Sequence, residues 1–538
     1  VIEAGPDGRE EPGIYIPGRK GSTLGGKYDW NFTTVAQTGA SNRVFAQNRG
    51  KVLGGSSALN LMSWDRTSIA ELDAWEKLGN EGWNWKTLYP AMLKAESFLP
   101  SPEYGVEGVG KFGPIQTLIS RIFPKHQDFW IPTLNNLGLA TNRESLDGHP
   151  VGVSTQPNNV SPNYTRSYAP EYLKLTGNNL ALKLGTRVVK VNFKENHATG
   201  VALEDGTIIR ARKEVILSAG SLQTPGLLEL SGIGNATVLR KLGIPLIRDL
   251  PSVGENLSDH IRIQSSYQLK PEYPSFDVLK NTARAAIELA AYKAGQVSLY
   301  DYTASGYAYF PWSVVSNDTA ARFRALVQGD TALTSAVGKV KKSYLSPPLS
   351  STVPQLEVIF SDGYTGLKGY PAANSSIFGI GTFSLIGVVQ HPLSKGSVHI
   401  TSRNISDKPV IDPNYLSHPY DLQAVTALAK FLRTIASTAP LKEVWTEEYE
   451  PGKAVQTDED WKKYALSNTL SIYHPIGTAA LLPEKDGGVV DAHLKVYGVK
   501  GLRVVDASVI PLLPSAHIQT LVYGIAERAA KLIVEAFD

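Results

Sequence analysis

Arg49-Gly50-Lys51-Val52-Leu53-Gly54-Gly55-Ser56-Ser57-Ala58-Leu59-Asn60 is the stretch on which the reading of this chain turns. Paired glycines followed by small hydroxyl residues let a backbone come close to a flat or anionic ligand. Its N–H groups then face a phosphate or the polar edge of a ring. A plain Gly-rich loop ahead of a helix has the same composition, so this stretch leaves both readings open. A second segment adds weight to the first. Glu214–Ser218 has the pattern of a strand and runs into Ala219-Gly220-Ser221, followed by the short apolar stretch Leu222–Leu230. Strand, Gly-Ser turn and helix is the general shape of a phosphate or nucleotide site, and also of an ordinary strand-to-helix joint.

Outward from these segments, helical and strand patterns interleave along 538 residues, a length that allows two to four domains. Leu180–Ala211 alternates apolar and polar residues, with Glu204-Asp205-Gly206 as a hairpin turn, and reads as a meander. Glu71–Glu96 reads as two short helices parted by Gly82-Trp83; Asp421–Ser437 and Ile518–Phe537 read as longer ones. The apolar run Ile377–Gln390 is broken by Gly379, Gly381 and Gly387 and reads as buried strand. It is too short and too interrupted to cross a membrane, and no longer apolar run exists. Lys and Arg number 53 against 50 Asp and Glu with no dense basic run, which argues against a nucleic-acid partner. With no cysteine, thiol nucleophiles, disulfides and Cys-ligated metals are excluded, and no metal site is expected.

Two histidines draw attention as candidate bases. Tyr473-His474-Pro475 places one in a rigid turn, and Pro514-Ser515-Ala516-His517 places another directly before a long helix. Imidazole titrates near neutral pH and can accept a proton there, and the helix after His517 presents its positive end to a developing anion. Most of the 10 histidines are expected only to satisfy hydrogen bonds. Gly108-Val109-Gly110-Lys111-Phe112-Gly113 matches a dinucleotide-binding spacing but precedes Pro114 rather than a helix, so it reads as a decoy.

Together the segments resemble the glucose–methanol–choline oxidoreductase family of flavoenzymes. Residues 50–64 (GKVLGGSSALNLMSW) are similar to its first signature and residues 220–234 (GSLQTPGLLELSGIG) to its second. PSVGENLSDH (251–260), HPLSKGSVHI (391–400) and GLRVVDASVIP (501–511) are further landmarks in the same order. The resemblance implies an α/β (α+β) chain. A Rossmann-like FAD-binding domain would be built from residues 1–60, 181–270 and 485–538. A substrate domain on a large antiparallel sheet flanked by helices would take 61–180 and 271–484. It also implies non-covalent FAD. Glu3 would bind the adenosine ribose hydroxyls and the backbone of Val188 would meet adenine. Gly54, Gly55, Ser57, Asn60 and Leu61 would line the pyrophosphate and isoalloxazine. Asp506 and Ala507 would approach the ribityl phosphate, and His517 and Ile518 would lie near flavin N1 and C2=O.

Departures from the family pattern matter equally. The family's Gly-x-Gly-x-x-Gly turn would precede Glu3, so Val1 reads as the middle of a strand and that turn is expected to lie outside this sequence. Leu59 stands where some members carry a flavin-linking histidine. Leu470-Ser471-Ile472 replaces polar sugar-reading residues, which disfavours glucose: a buried hydroxyl without its partner costs about 1–3 kcal/mol. This stretch and PSAHIQTLVYGIAERAA (514–530) look more like aryl-alcohol oxidases, with Tyr473 facing an aromatic substrate or simply packing beneath the flavin.

The resemblance thus implies oxidation of a primary, aryl or otherwise apolar alcohol. His474 would take the hydroxyl proton, hydride would pass to flavin N5, and His517 would bind the forming alkoxide. Electrons would then pass to O2 or a quinone-type acceptor. A hydroxynitrile lyase on the same scaffold and a flavin-free relative are the alternatives. His260, beside Asp259, belongs to a segment that is structural in the family and is set outside the active site. The aromatic-rich region Tyr300–Trp312, with Phe360 and Phe383, is the candidate source of pocket residues. Asn-x-Ser/Thr sequences at Asn31, Asn159, Asn163, Asn235, Asn256, Asn317, Asn374 and Asn404 lean toward a secreted glycoprotein, with Asn256 expected to be inaccessible.

Overall fold

The computed structural model describes all residues except Ser305, Ala373, Ser376 and Asp538. In chain order, the elements that position the site begin with helices α1 (Ile69–Lys77) and α2 (Trp85–Ala95) and strand β1 (Gly152–Thr155). The meander β2 (Val188–Lys194), β3 (His197–Leu203) and β4 (Ile208–Arg210) follows, then β5 (Val215–Leu217) and α3 (Thr224–Leu230). Four long strands come next: β6 (Ile261–Leu269), β7 (Gly306–Phe310), β8 (Leu356–Asp362) and β9 (Thr382–Val389). The chain closes with α4 (Pro419–Ser437), β10 (Trp445–Glu450), α5 (Asp458–Asn468), β11 (Leu470–Ser471), β12 (Leu502–Val504) and α6 (Gln519–Glu535).

The expected large sheet is present. Its strand order is β10-β6-β9-β8-β7-β1, with β11 also pairing β6, and every pairing is antiparallel. β9 is buried along its whole length, which explains why apolar residues on both faces of the strand dominate its sequence. One face of the sheet takes the apolar stripe of α4, whose Leu428, Leu432 and Ile435 join Leu356, Phe360 and Leu385 in one core.

A second core joins the meander, β5, β12, α3 and α6. Beside the antiparallel meander it holds parallel pairings, β12 against β5 and Ile2 against Lys183, of the kind a dinucleotide-binding layer uses. This core also takes Leu72 and Trp75 from α1 and Leu88 and Met92 from α2. Gly524 of α6 packs so closely that a Cβ there would lie 2.6 Å from Met92. The segment expected in the substrate domain therefore shares its apolar core with the cofactor-side segments. Conversely, β6, which the boundary at 270 groups with the cofactor side, is central to the antiparallel sheet.

In the Gly108–Gly113 loop, Gly110 and Gly113 lie against the main chain at the end of α2, and the Gly110 amide donates to the Glu96 carboxylate at 2.9 Å. A Cβ at Gly110 or Gly113 would strike the backbone of Glu96 or Ala95, so these glycines allow two chain segments to touch. Phe360 and Phe383, candidates for the pocket, are fully buried and stacked on each other with centroids 5.2 Å apart, and belong to the core. Asn159 is fully buried and donates to the Ser167 carbonyl, so its sequon cannot carry a glycan in the folded state.

Candidate active site

His474 and His517 meet although they arrive on unrelated segments. Their rings lie edge to face, with centroids 5.0 Å apart and planes at 82°. Each is held by buried acids contributed from a distance. Glu71, in the first turn of α1, forms a capping box with Ser68 and also accepts from the Ser515 amide at 2.7 Å. Burial alone would raise the Glu71 carboxyl, but bonds from His391, Ser515 and Thr67 hold it at about 2. The turn before His517 is thus anchored to α1 by a permanent anion. Asp65 then accepts from both the amide (2.8 Å) and ring Nδ1 (2.7 Å) of His517.

Glu357, on β8, approaches the same Nδ1 at 3.5 Å. Tyr309 on β7 donates its hydroxyl to Asp65 (2.8 Å) and Glu357 (3.0 Å), and Gln390 donates to Glu357 at 2.9 Å. Burial disfavours a charged His517, but the two carboxylates prevail and raise it to about 9. Burial likewise raises Glu357 to about 7, against the pull of the His517 cation.

His474 has the opposite setting. Burial lowers its basicity well below the usual histidine range, and the positive charge of His517, with His260 and Arg49 nearby, lowers it further. The turn that presents it is strained: Tyr473 has φ +67°, the left-handed region. Arg49 donates to the Tyr473 carbonyl at 2.5 Å and buried Asp259 accepts from the His474 amide at 2.8 Å, which stabilises that conformation. The first glycine-rich segment and the histidine turn are therefore one structural unit.

His260 is where the structure departs from the sequence expectation. Its Nδ1 lies 2.9 Å from Nδ1 of His474, in the heart of the site. Asp65 and Glu357 were not singled out in the sequence at all, and Tyr309 only as one of an aromatic-rich region. Two signals were available: Asp65 directly follows the 50–64 signature, and Glu357 is a lone acid in the apolar run Leu356–Phe360. Of the aromatic-rich region, Tyr309 bonds the acids and Tyr307 lies edge-on to His517 at 6.0 Å. Tyr473 is half-buried beside His474.

Asp65, Glu357 and His517 are close enough to hold a cation. The His517 Nδ1 proton already fills the space between the carboxylates, which makes the trio an ion-pair network.

The proposed cofactor residues form a cradle. Gly54 and Gly55 adopt φ +92° and +54°, and a Cβ on Gly55 would meet nothing within 4 Å. Gly220, φ +81°, is equally open on that side. Ser57 Oγ donates to the Gly54 carbonyl at 2.6 Å and steadies the turn. Asn60 accepts from Arg166 at 2.7 Å and donates to Gln519 at 2.8 Å, tying the loop to the first residue of α6. Leu61 is 47% exposed and Ile216 44%, apolar surface that a planar ring or another segment would cover.

Glu3 is partly buried, and among the described residues its carboxylate accepts only from Gly5 N, at 2.6 Å. Burial raises its carboxyl, a cost that hydrogen bonds from ribose hydroxyls would relieve. Val188 starts β2, and Ile518 caps α6, whose first N–H groups have no intrahelical acceptor. The carboxylate of Asp506 accepts from Thr224 Oγ1 (2.5 Å), Gly220 N (2.9 Å) and Ser508 N (2.7 Å). It shapes the Gly220 turn and the short helix beginning at Ala507. Leu59 is buried and offers no nucleophile for flavin attachment. Open glycines, an under-satisfied acid and exposed apolar surface together fit FAD.

Comparison with known proteins agrees with this geometry. The GMC oxidoreductase family profile matches residues 19–262 and 392–526. The chain is 34% identical over 568 residues to the GMC oxidoreductase family protein Mala s 12 of Malassezia sympodialis, covering 99% of this chain and 88% of that one. An FAD-dependent oxidoreductase from Chaetomium thermophilum superposes with a TM-score of 0.90 at 29% identity, covering 100% of this chain and 94% of that one. A fungal aryl-alcohol oxidase superposes at 0.83 with the same identity and coverage. With these matches and a cradle shaped for FAD, the chain belongs to the GMC oxidoreductase family and is an FAD-dependent oxidoreductase.

Proposed function

We propose that the enzyme oxidises a primary alcohol of aryl or otherwise apolar character to the aldehyde, with His474 as base and His517 as hydrogen-bond donor. The observation that carries this reading is the opposite tuning of two touching histidines, one driven toward neutrality and the other toward +1. Groups whose surroundings push their protonation apart mark an acid and base pair. Neutral His474 accepts the hydroxyl proton. His517, held by Asp65 and Glu357, presents a charged donor to the oxygen on which negative charge develops, and holds it in place for reaction. FAD, held by the Gly54–Asn60 loop and α6, supplies the two-electron acceptor.

Apolar surroundings support the substrate class. Ile472 packs against a cluster that includes Tyr307, Tyr309, Ile359 and Ile386, an aromatic and aliphatic setting at the position where a sugar would call for a polar side chain. Similarity to an aryl-alcohol oxidase supports it further.

His474→Ala tests the base. In anaerobic stopped-flow mixing with an aryl alcohol, flavin bleaching is expected to slow by about 10²–10⁴-fold while FAD stays bound. An unchanged rate would remove His474 from the chemistry. Absence of bleaching in the unmodified enzyme with every alcohol offered would remove alcohol oxidation itself.

A further inference from the structure

A base must present a lone pair, and the structure shows which nitrogen of His474 has it. The starting point is the Gln390 main-chain oxygen, 2.9 Å from His260 Nε2. A carbonyl only accepts, so His260 Nε2 carries a hydrogen. His260 is buried, and burial with His391 nearby depresses its basicity to about 3, so the ring is neutral and its Nδ1 is a lone pair. His474 Nδ1 faces that lone pair at 2.9 Å. Two lone pairs cannot share such a contact, so His474 Nδ1 holds a hydrogen and donates it to His260. The neutral His474 ring then has its lone pair on Nε2, which has no hydrogen-bond partner among the described residues.

We propose that His260 is a positioning residue. Through the relay Gln390 carbonyl, His260, His474, it locks the base into the Nδ1–H tautomer and so aims the Nε2 lone pair at the substrate. The proposal rests on the reading of His474 as base. In the step it serves, the substrate O–H bond breaks and its proton forms an N–H bond at Nε2. FAD, when bound, would supply the acceptor for the carbinol hydrogen with its electron pair, and the C–O bond would become C=O. His474 becomes an imidazolium that keeps its Nδ1–H bond to His260.

Consecutive residues thus divide the work. Asp259 holds the main chain of His474, and His260 orients its ring. Gln390 joins the two histidines a second way, because its amide binds Glu357, which in turn holds His517.

Two substitutions separate tautomer control from packing. In His260→Asn, the amide oxygen can occupy the place of Nδ1 and keep an acceptor for His474. In His260→Gln, the amide nitrogen can keep the bond to Gln390 but offers no acceptor at Nδ1. The expected result is about a 100-fold or greater fall in the flavin-reduction rate constant for His260→Gln, with the substrate dissociation constant changed less than about threefold. His260→Asn is expected to stay within about fivefold of the unmodified enzyme. Equal losses in both would overturn the proposal.

A measurement on the unmodified holoenzyme does not depend on either variant folding. Nitrogen-15 NMR of histidine-labelled protein, with the His474 signals assigned by their absence in His474→Gln, is expected to show protonated Nδ1 and bare Nε2. The opposite tautomer would overturn the proposal. Fast flavin reduction by His474→Ala would instead refute the base and leave the tautomer result standing, so the two failures are distinguishable.

Discussion

Replacing Asp65 by Asn removes one negative charge 2.7 Å from His517 Nδ1 and leaves the side chain's shape intact. In the native site His517 is raised from 6.5 to about 9, a net 2.5 units achieved by Glu357 and Asp65 against the opposing effect of burial. At 1.36 kcal/mol per unit, this is about 3.4 kcal/mol in favour of the charged ring. Loss of Asp65 removes one of the two carboxylates that hold this charge while Glu357, the larger influence, remains, so His517 should give up its proton at a lower pH. Burial is unchanged and then counts for more.

The assay is the pH profile of anaerobic flavin reduction. A group that must be protonated, with a raised value, is fully active below about 6.5 and loses activity as pH rises through about 9. The native profile should therefore stay flat across neutrality and fall above about pH 9, whereas the Asp65→Asn profile should begin to fall at a distinctly lower pH. Stability has the same sign: the contribution of His517 is complete at low pH and is lost as pH rises through its folded value. The native melting temperature should therefore drop between pH 7 and 9.5 by more than that of the variant. Superimposable rate profiles would refute the view that Asp65 keeps His517 charged.

Three further substitutions test the cradle and the core. Gly55→Ala places a methyl in open space, so the fold should persist while FAD retention weakens by about tenfold or more, read as flavin fluorescence released on ultrafiltration. Gly50→Ala differs, because its Cβ would lie 2.2 Å from the Gly55 backbone, and loss of soluble folded protein is expected. Glu96→Gln leaves the guanidinium of Arg66 without its anion where both side chains are fully buried, which should cost about 3–5 kcal/mol. A drop in urea midpoint with FAD spectrum and reduction rate preserved below the transition checks this; an unchanged midpoint would show that Thr117 and Gly110 do not need that charge.

The sequence by itself determined those elements whose causes are local. Apolar residues at helical spacing defined α4 and α6, alternation around Glu204-Asp205-Gly206 defined the β2–β4 meander, and positive-φ glycines at 54 and 55 marked the cradle. The resemblance carried by five ordered landmarks then supplied the family, the cofactor and the two histidines. Domain boundaries were less legible. β6 pairs with β9, more than a hundred residues away, and α1 and α2 join the core of β5 and α6, because burial depends on which surfaces meet rather than on chain order.

Only the tertiary structure decided the charge states. Asp65 and His517 are separated by 452 residues, and Glu357 arrives from a strand of the other sheet. A histidine's protonation follows from the charges within a few ångströms and the water excluded around it, and neither quantity is written in its neighbours along the chain. The same physics moved His260 from a structural turn into contact with His474: the landmark residues were legible, but the 2.9 Å between two imidazole nitrogens exists only once β6 and the 470–474 turn are packed together.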